Sequence, residues 1–511
     1  MCENNVSRRR TMEFATYAYT MEVQTAYTRA VSQLQGRLIA PYQREGVCWM
    51  LFREFQTKGP RGGFLCDEMG LGKTVQVIST ILGNPQQRTL IVVPKSIVNQ
   101  WNEEINHFAP NLKVLLYDGA KRTRDPQEFL KHDITIAPYS LIVTKKKSEL
   151  TILHRIKWDR VVLDEGHEIR TPKSKISKNA CRLESGIRWI ISGTPIYNSM
   201  RDFVTLGSFV GLSKQIVQGY TEKVRQNYIL RRTKEDVAKH NPRLTLPPCD
   251  FQNIELEMDD DEKALYIEKY TEICQQVKEI LRSSLEQGEK AMAILECLLR
   301  CRQLMIHPQL YYDGIARKTD EDPEIWKGST KKMETLFNMV ESHPTEKSLI
   351  FSLFTGEMRY IKSELEKRGK TVFLLNGSIH KDQREDQLNQ FRKFSGGCVF
   401  IIQIKAGGQG LNLQQATRVY ITAPSWNPAT ELQAIARSHR TGQTRKVVVR
   451  KLIYGGTDEV PSIDQSIVKL QTAKAEISSK VLNDPRLASQ IPSKFKNTKL
   501  NIYELKKIFS I

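Results

Sequence analysis

With 511 residues the chain is too long for one hydrophobic core, and two or three domains are expected. Its hydrophobic fraction of 40% is that of ordinary soluble globular protein, and no apolar run approaches membrane-spanning length. A formal charge of +20 points to nucleic acid or another polyanion as partner, while saying nothing about fold.

The start of the chain, MCENNVSRRR, has no apolar core after its arginines, so a secretory signal is not expected. Nine scattered cysteines, several inside expected strands or helices (Cys48, Cys66, Cys398), suggest reduced thiols in an intracellular protein. Residues 1–35 read as a polar, irregular tail, in which Arg8, Arg9 and Arg10 either touch phosphate or are solvated. Pro41 suits a helix start, and Gln43 just after it offers a side-chain amide that both donates and accepts, as reading an adenine edge requires. A lone glutamine is equally an ordinary surface residue.

The stretch FLCDEMGLGKT, Phe64 to Thr74, carries the strongest chemistry. Phe64 to Cys66 reads as the end of a buried strand and Val75 to Leu82 as the following helix. Gly70 and Gly72 let backbone N–H groups turn inward toward an anion at the helix N-terminus. Lys73 is placed to reach β- and γ-phosphates, and the Thr74 hydroxyl to hold Mg2+. Asp67 stands where the generic phosphate loop has a glycine, so a glycine turn before an ordinary helix stays open on these residues alone.

Short apolar strands then alternate with helices, at Thr89 to Val93, Val114 to Tyr117, Ile134 to Ala137, Val161 to Leu163 and Trp189 to Ser192. That pattern predicts a doubly wound, mostly parallel sheet with ligands beyond the carboxyl ends of its strands. Asp164 and Glu165 follow one such strand; the first can hold a metal and the second orient an attacking water, although adjacent acids also occur in plain turns. Ser192, Gly193, Thr194 and Pro195 end the next strand, either as a coupling element or as a turn. From Leu230 to Lys234 the chain turns basic, and residues 236–345 read as a helical insertion, clearest at Asp261 to Leu281 and Glu289 to Met305. Cys297 and Cys301 near His307 lack a second ligand pair for zinc and suit a buried helix.

A second alternating pattern starts at Leu349 and runs through Val372 to Leu375, Val399 to Gln403, Val419 to Ile421 and Val447 to Leu452. It has no phosphate loop but carries KAGGQGLNL, with Gly408 and Gly410, and QAIARSHRTGQ. Arg437 and Arg440, three apart, would share one face of a helix, as arginine fingers or as a solvated basic surface.

LIAPYQREGVCWM, DEMGLGKT, DEGH, SGTPIYNS, LRRTKEDV, KAGGQGLNL and QAIARSHRTGQ, in this order over about residues 36–475, resemble the SWI/SNF-related helicase-like ATPases of helicase superfamily two. The family pattern itself has Asp at the Asp67 position. The resemblance implies an α/β protein of two RecA-like doubly wound parallel-sheet lobes with a helical insertion between them. It divides the chain into lobe 1 at 36–235, insertion and linker at 236–345, lobe 2 at 346–475 and a helical tail at 476–511. It implies ATP and Mg2+ in a cleft between the lobes. Gln43 would recognise adenine; Asp67, Gly70, Gly72, Lys73 and Thr74 would bind phosphate, Thr74 and Asp164 the metal. Glu165 would activate water, Arg437 and Arg440 would be fingers from lobe 2, and Gly408 and Gly410 would shape its face. The implied partner is double-stranded DNA, held mostly through phosphates, with DNA-bound proteins or transcription machinery beside it, no membrane, and a nuclear or viral-replication setting. Ala436 departs from the Asp of many members, which puts one contact to neighbouring motifs in doubt, and Gly166 replaces the alanine of the commoner DEAH form. A strand-separating helicase, a viral transcription-associated NTPase and a catalytically silent DNA-binding scaffold are the alternatives.

Overall fold

The computed structural model describes residues 20–38, 40–144, 149–193, 200–240, 246–328, 330–379, 381–407, 411–440, 442–482 and 509. Thr194, Pro195, Gly408, Gly410 and most of both tails lie outside these residues. The chain divides into two compact units, parting between residues 245 and 246.

In the first unit, helices α1 (Met21–Gln33) and α2 (Pro41–Glu54) precede strand β1 (Arg61–Leu65) and helix α3 (Lys73–Gly83). Strand β2 (Thr89–Val93), helix α4 (Val98–Phe108) and strands β3 (Val114–Leu116), β4 (Ile134–Pro138), β5 (Trp158–Asp164), β6 (Ser185–Ile191) and β7 (Ile229–Leu230) follow. The seven strands form one sheet in the order β3-β4-β2-β5-β6-β1-β7, and every paired neighbour is parallel. Parallel sheets bury both faces. Leu65, Ile91, Val93 and Val162 pack into one core with Val77, Ile78 and Ile81 of α3 and Trp101 of α4, whereas Phe64 points the other way onto Phe203 at 5.8 Å. Because the strands are parallel, the loops after β1, β5 and β6 leave the sheet at one end. At the amino end of β5, Arg160 is held against Glu54, which also accepts from the Trp189 indole and the Asn84 amide.

The expected irregular tail is corrected by α1. Val23, Ala26 and Ala30 fall on one helical face and are buried. That face packs on the end of α3 at Gly83, where an added Cβ would stand 2.8 Å from the Ala26 carbonyl oxygen. Small residues with one apolar stripe make such a helix legible only once its neighbour is known.

The second unit holds strands β8 (Cys249–Leu256), β9 (Ser348–Ser352), β10 (Val372–Leu375), β11 (Val399–Gln403), β12 (Arg418–Ile421) and β13 (Val447–Tyr454) in the order β10-β11-β9-β12-β13-β8, again all parallel. Helices α5 (Asp260–Arg282), α6 (Gln287–Leu304), α7 (Pro308–Thr319) and α8 (Lys331–Glu341) lie between β8 and β9. The stretch read as an insertion therefore supplies β8 to the second sheet. Its α8 residues Met333, Leu336, Phe337 and Val340 share a core with Ile350, Ile401 and Leu452 of that sheet. Cys297 and Cys301 sit in an apolar core with Ile294 and Leu298. His307 instead caps α7, its Nδ1 accepting from the Gln309 N–H at 3.0 Å. Helices α9 (Thr355–Lys367), α10 (Pro428–Ile435) and α11 (Ile463–Leu482) complete the elements used below.

Candidate functional site: the phosphate loop, its acids and the arginine turn

The loop leaving β1 enters α3 through Gly70 at φ +90° and Gly72 at φ +71°, conformations that favour glycine. Lys73 is the first residue of α3 and Thr74 the second, so both stand at the helix's positive end. The Lys73 ammonium donates to the backbone carbonyls of Asp67 at 2.8 Å and Glu68 at 3.4 Å. Both acceptors are neutral, which leaves the lysine's charge available to an anion. Gln43 is buried on the first turn of α2, its amide nitrogen 3.4 Å from the Leu71 carbonyl. A Cβ at Gly72 would stand 2.4 Å from that amide nitrogen, so only glycine leaves room there without displacing Gln43.

Asp67 is fully buried. Its Oδ1 accepts from Arg232 Nε at 3.0 Å and from the Arg232 backbone N–H at 3.1 Å; its Oδ2 accepts from Arg232 Nη2 and from Gln76 Nε2. The carboxylate is thus committed to Arg232 and Gln76, and Asp67 meets the loop through its carbonyl oxygen on Lys73.

Asp164 is the last residue of β5. Its Oδ2 accepts from the buried Trp101 indole at 2.7 Å, its Oδ1 from the Glu165 N–H at 2.9 Å, and its carbonyl from the Tyr139 hydroxyl at 2.8 Å. Burial and the Glu165 charge push the Asp164 carboxyl up to about 6, against the two hydrogen bonds and the Lys73 charge. Glu165 adopts φ 48°, ψ 46°, a left-handed conformation that costs a non-glycine residue on the order of 1 kcal/mol or more. Such outliers gather at functional sites. Glu165 Oε2 lies 3.2 Å from His167 Nδ1, and that ring nitrogen is 3.5 Å from Ser192 Oγ. Gly166 is where a Cβ would meet Ile190 Cγ2 at 2.6 Å, so an alanine there would require this neighbour to shift. Beyond β6, a Cβ at Gly193 would stand 3.0 Å from Met69 Cγ and 3.7 Å from Lys73 Nζ. The strand-end motif therefore packs directly beside the phosphate loop.

In the second unit the expected helix does not carry Arg437 and Arg440. α10 ends at Ile435, and a turn follows, with Arg437 N–H on the Ala434 carbonyl and Ser438 N–H on the Ile435 carbonyl, both at 3.1 Å. Tertiary bonds outweigh helix continuation here. The Arg437 carbonyl accepts from Leu413 N–H at 3.0 Å, and Ser438 Oγ donates to the Ala416 carbonyl at 2.6 Å. Arg440 Nη1 approaches the Leu411 carbonyl at 3.5 Å. Both arginines are thereby tied to the segment that follows the glycines of KAGGQGLNL.

The SNF2-related domain model matches residues 42–218 and 220–310, and the helicase conserved C-terminal domain model matches residues 331–442. The chain belongs to the SNF2-related family of helicase-like ATPases. It is 30% identical to the putative ATP-dependent helicase/translocase YwqA of Bacillus subtilis, over 93% of this chain and 51% of that protein. It is 29% identical to the probable global transactivator of Orgyia pseudotsugata multicapsid polyhedrosis virus, over 92% of this chain and 94% of that protein. Among solved structures, the Sulfolobus solfataricus SWI2/SNF2 ATPase core in complex with dsDNA is similar at 25% identity, covering 91% of this chain and 98% of that one, with a TM-score of 0.38. The chain spans about half the length of most of the curated relatives it matches.

The residues of this SNF2-related chain fit a magnesium nucleotide. Two adjoining carboxyl groups, one buried and pushed up toward neutrality, are eased by a cation, and a lysine on neutral acceptors at a helix N-terminus suits phosphate. Sequence reading missed Trp101, Arg232 and Gln76. Trp101 reads as core from its apolar spacing on α4, and the indole's bond to Asp164 spans 63 residues. Arg232 reads as part of a basic run, whereas its carboxylate partner lies 165 residues away.

Proposed function

We propose that the chain is a DNA-dependent ATPase that moves along duplex DNA and remodels protein bound there. The observation that carries the reading is the gathering of Lys73, Asp164 and Glu165 at one end of one parallel sheet, on the phosphate-loop helix and the end of β5. In this reading Gln43 reads adenine, while Gly70, Gly72 and Lys73 hold the phosphates with Asp67 bracing the loop. Thr74 and Asp164 hold Mg2+, which neutralises charge on the phosphates when bound. Glu165 takes the proton of the attacking water, and Arg437 and Arg440 stabilise the charge that develops in hydrolysis. The charge of +20 supports a polyanion partner gripped through phosphates, with little dependence on sequence. Among the described residues no helix is long and apolar enough to cross a membrane.

The test is ATP hydrolysis with and without duplex DNA across a salt series. Stimulation by duplex of any sequence, declining steeply with salt, is expected; unchanged hydrolysis with DNA sinks the reading. A second reading, a transcription-associated NTPase, draws on the viral relative, a probable global transactivator that this chain matches over nearly its whole length. Strand separation on forked duplexes distinguishes a helicase from a translocase.

A further inference from the structure

We infer that Arg232 is a positioning residue for nucleobase selection, locking the adenine-reading turn of α2 to the phosphate loop. The inference rests on the proposed role of Gln43 and extends it to a residue far away in sequence.

Arg232 follows β7, which lies beside β1, and its guanidinium reaches both halves of the nucleotide site. Toward the loop it holds both oxygens of Asp67 and donates Nη2 to Gln76 Oε1 at 2.9 Å. Gln76 in turn donates to Asp67 Oδ2 at 3.1 Å and approaches the Leu71 and Gly72 carbonyls at 3.4 Å. Toward α2, Arg232 Nη1 donates to the Tyr42 carbonyl, and the guanidinium lies 5.2 Å from the centre of the Tyr42 ring. Tyr42 immediately precedes Gln43, and its hydroxyl donates to the Leu71 carbonyl at 3.1 Å. The backbone closes the same joint, with Glu68 N–H on the Arg232 carbonyl at 2.9 Å. Gly46 makes room: a Cβ there would stand 1.9 Å from Gln76 Oε1 and 2.6 Å from Arg232 Nη2. The neighbouring Arg231 donates to the Cys66 and Gly193 carbonyls at 3.1 and 3.0 Å, bracing the other side of the loop.

This geometry uses the planar fork of arginine, which a lysine ammonium cannot reproduce. Without it, the Tyr42–Gln43 turn and the Leu71–Gly72 turn lose their common anchor. Gln43 then no longer stands at a set distance from the phosphates, and discrimination between bases weakens together with binding.

The experiment measures dissociation constants of the full chain for ATP, GTP and inorganic triphosphate, with folding followed by thermal denaturation. The variants are Arg232→Lys, Gln76→Leu and, as the control on the underlying reading, Gln43→Ala. Arg232→Lys is expected to weaken ATP about tenfold, the loss of one to two charge-assisted hydrogen bonds, and to move the ATP:GTP affinity ratio toward one. Gln76→Leu should move the ratio in the same direction and carries the test if Arg232→Lys does not fold. If Gln43→Ala shifts the ratio while both other variants keep it at the parental value, Arg232 merely supports the fold and the inference is overturned. If Gln43→Ala itself leaves the ratio unchanged, the adenine reading fails, and the inference with it. A lower melting temperature with an unchanged ratio also overturns it.

Discussion

Trp101→Phe isolates one hydrogen bond at Asp164, the acid proposed to hold the metal. The indole is 2% exposed and donates at 2.7 Å to Asp164 Oδ2, a bond to a group that must be charged in order to hold a cation. Phenylalanine keeps an aromatic ring in the core beside Ile105 and Val98 but lacks the N–H. A hydrogen bond to a charged group contributes about 1.5–3 kcal/mol; because the indole can keep it with or without a cation, its loss reaches Mg2+ affinity through the proton that competes for the carboxylate, roughly a twofold to tenfold loss near neutral pH. The bond favours the ionised carboxylate, so its removal pushes Asp164 further above about 6 in the metal-free protein. Because the ionised form is the one that binds, activity at limiting Mg2+ falls as pH drops through that value, and the fall should begin at higher pH in the variant. The assay is initial ATPase rate against Mg2+ concentration at several pH values, with the melting temperature measured in parallel. High Mg2+ should restore most of the rate. A variant that melts earlier but has the parental Mg2+ curve and pH limb would refute the reasoning, since the indole would then act only as core.

Glu165→Gln keeps shape and removes the proton acceptor; it should bind Mg-ATP near normally and lose single-turnover hydrolysis by about a hundredfold or more, whereas Asp164→Asn should also weaken Mg-dependent binding. Near-parental single-turnover hydrolysis by Glu165→Gln would remove Glu165 as the base. Arg437→Ala should lose most of the DNA-stimulated rate, on the order of a thousandfold, with ATP affinity little changed, because the phosphate loop belongs to the first unit; a normal stimulated rate contradicts the finger role. Burial holds the His307 imidazole down at about 4, and its Nδ1 must stay unprotonated to cap α7. Between about 6.5 and 4 the unfolded chain binds a proton that the folded chain does not, so stability is present above about 6.5 and lost as pH falls, by about 3 kcal/mol in all. His307→Asn keeps a capping oxygen without the titration, and denaturant midpoints at pH 7 and 4.5 should converge for that variant; equal acid sensitivity of variant and parent would count against it.

Most strands of both sheets, though not β7 or β8, were legible because continuous apolar runs of β-branched residues bounded by glycine and polar clusters have few other ways to bury themselves. Thr89–Val93, Val372–Leu375 and Val399–Gln403 fall where the sequence places them. The placement of the glycine loop after β1 and of Asp164–Glu165 at the end of β5 was legible for a related reason. Their chemistry is local, a strand end followed at once by the groups that leave it.

What sequence left undetermined depends on long-range partners. The stretch 236–345 reads as helical, but pairing of Cys249–Leu256 with β13, nearly two hundred residues on, makes part of it a strand of the second sheet. Arg437 and Arg440 have helical spacing, and the helix stops at Ile435 because Leu413 and Ala416 offer hydrogen bonds that the sequence around the arginines does not announce. Asp67 looks like a loop residue until Arg232 closes on it, and Trp101 looks like core until its N–H finds Asp164. Local propensity and periodicity act over a few residues and so are written in the sequence. A buried carboxylate takes whichever donor the fold brings to it, and that choice exists only once the sheet has brought distant segments together.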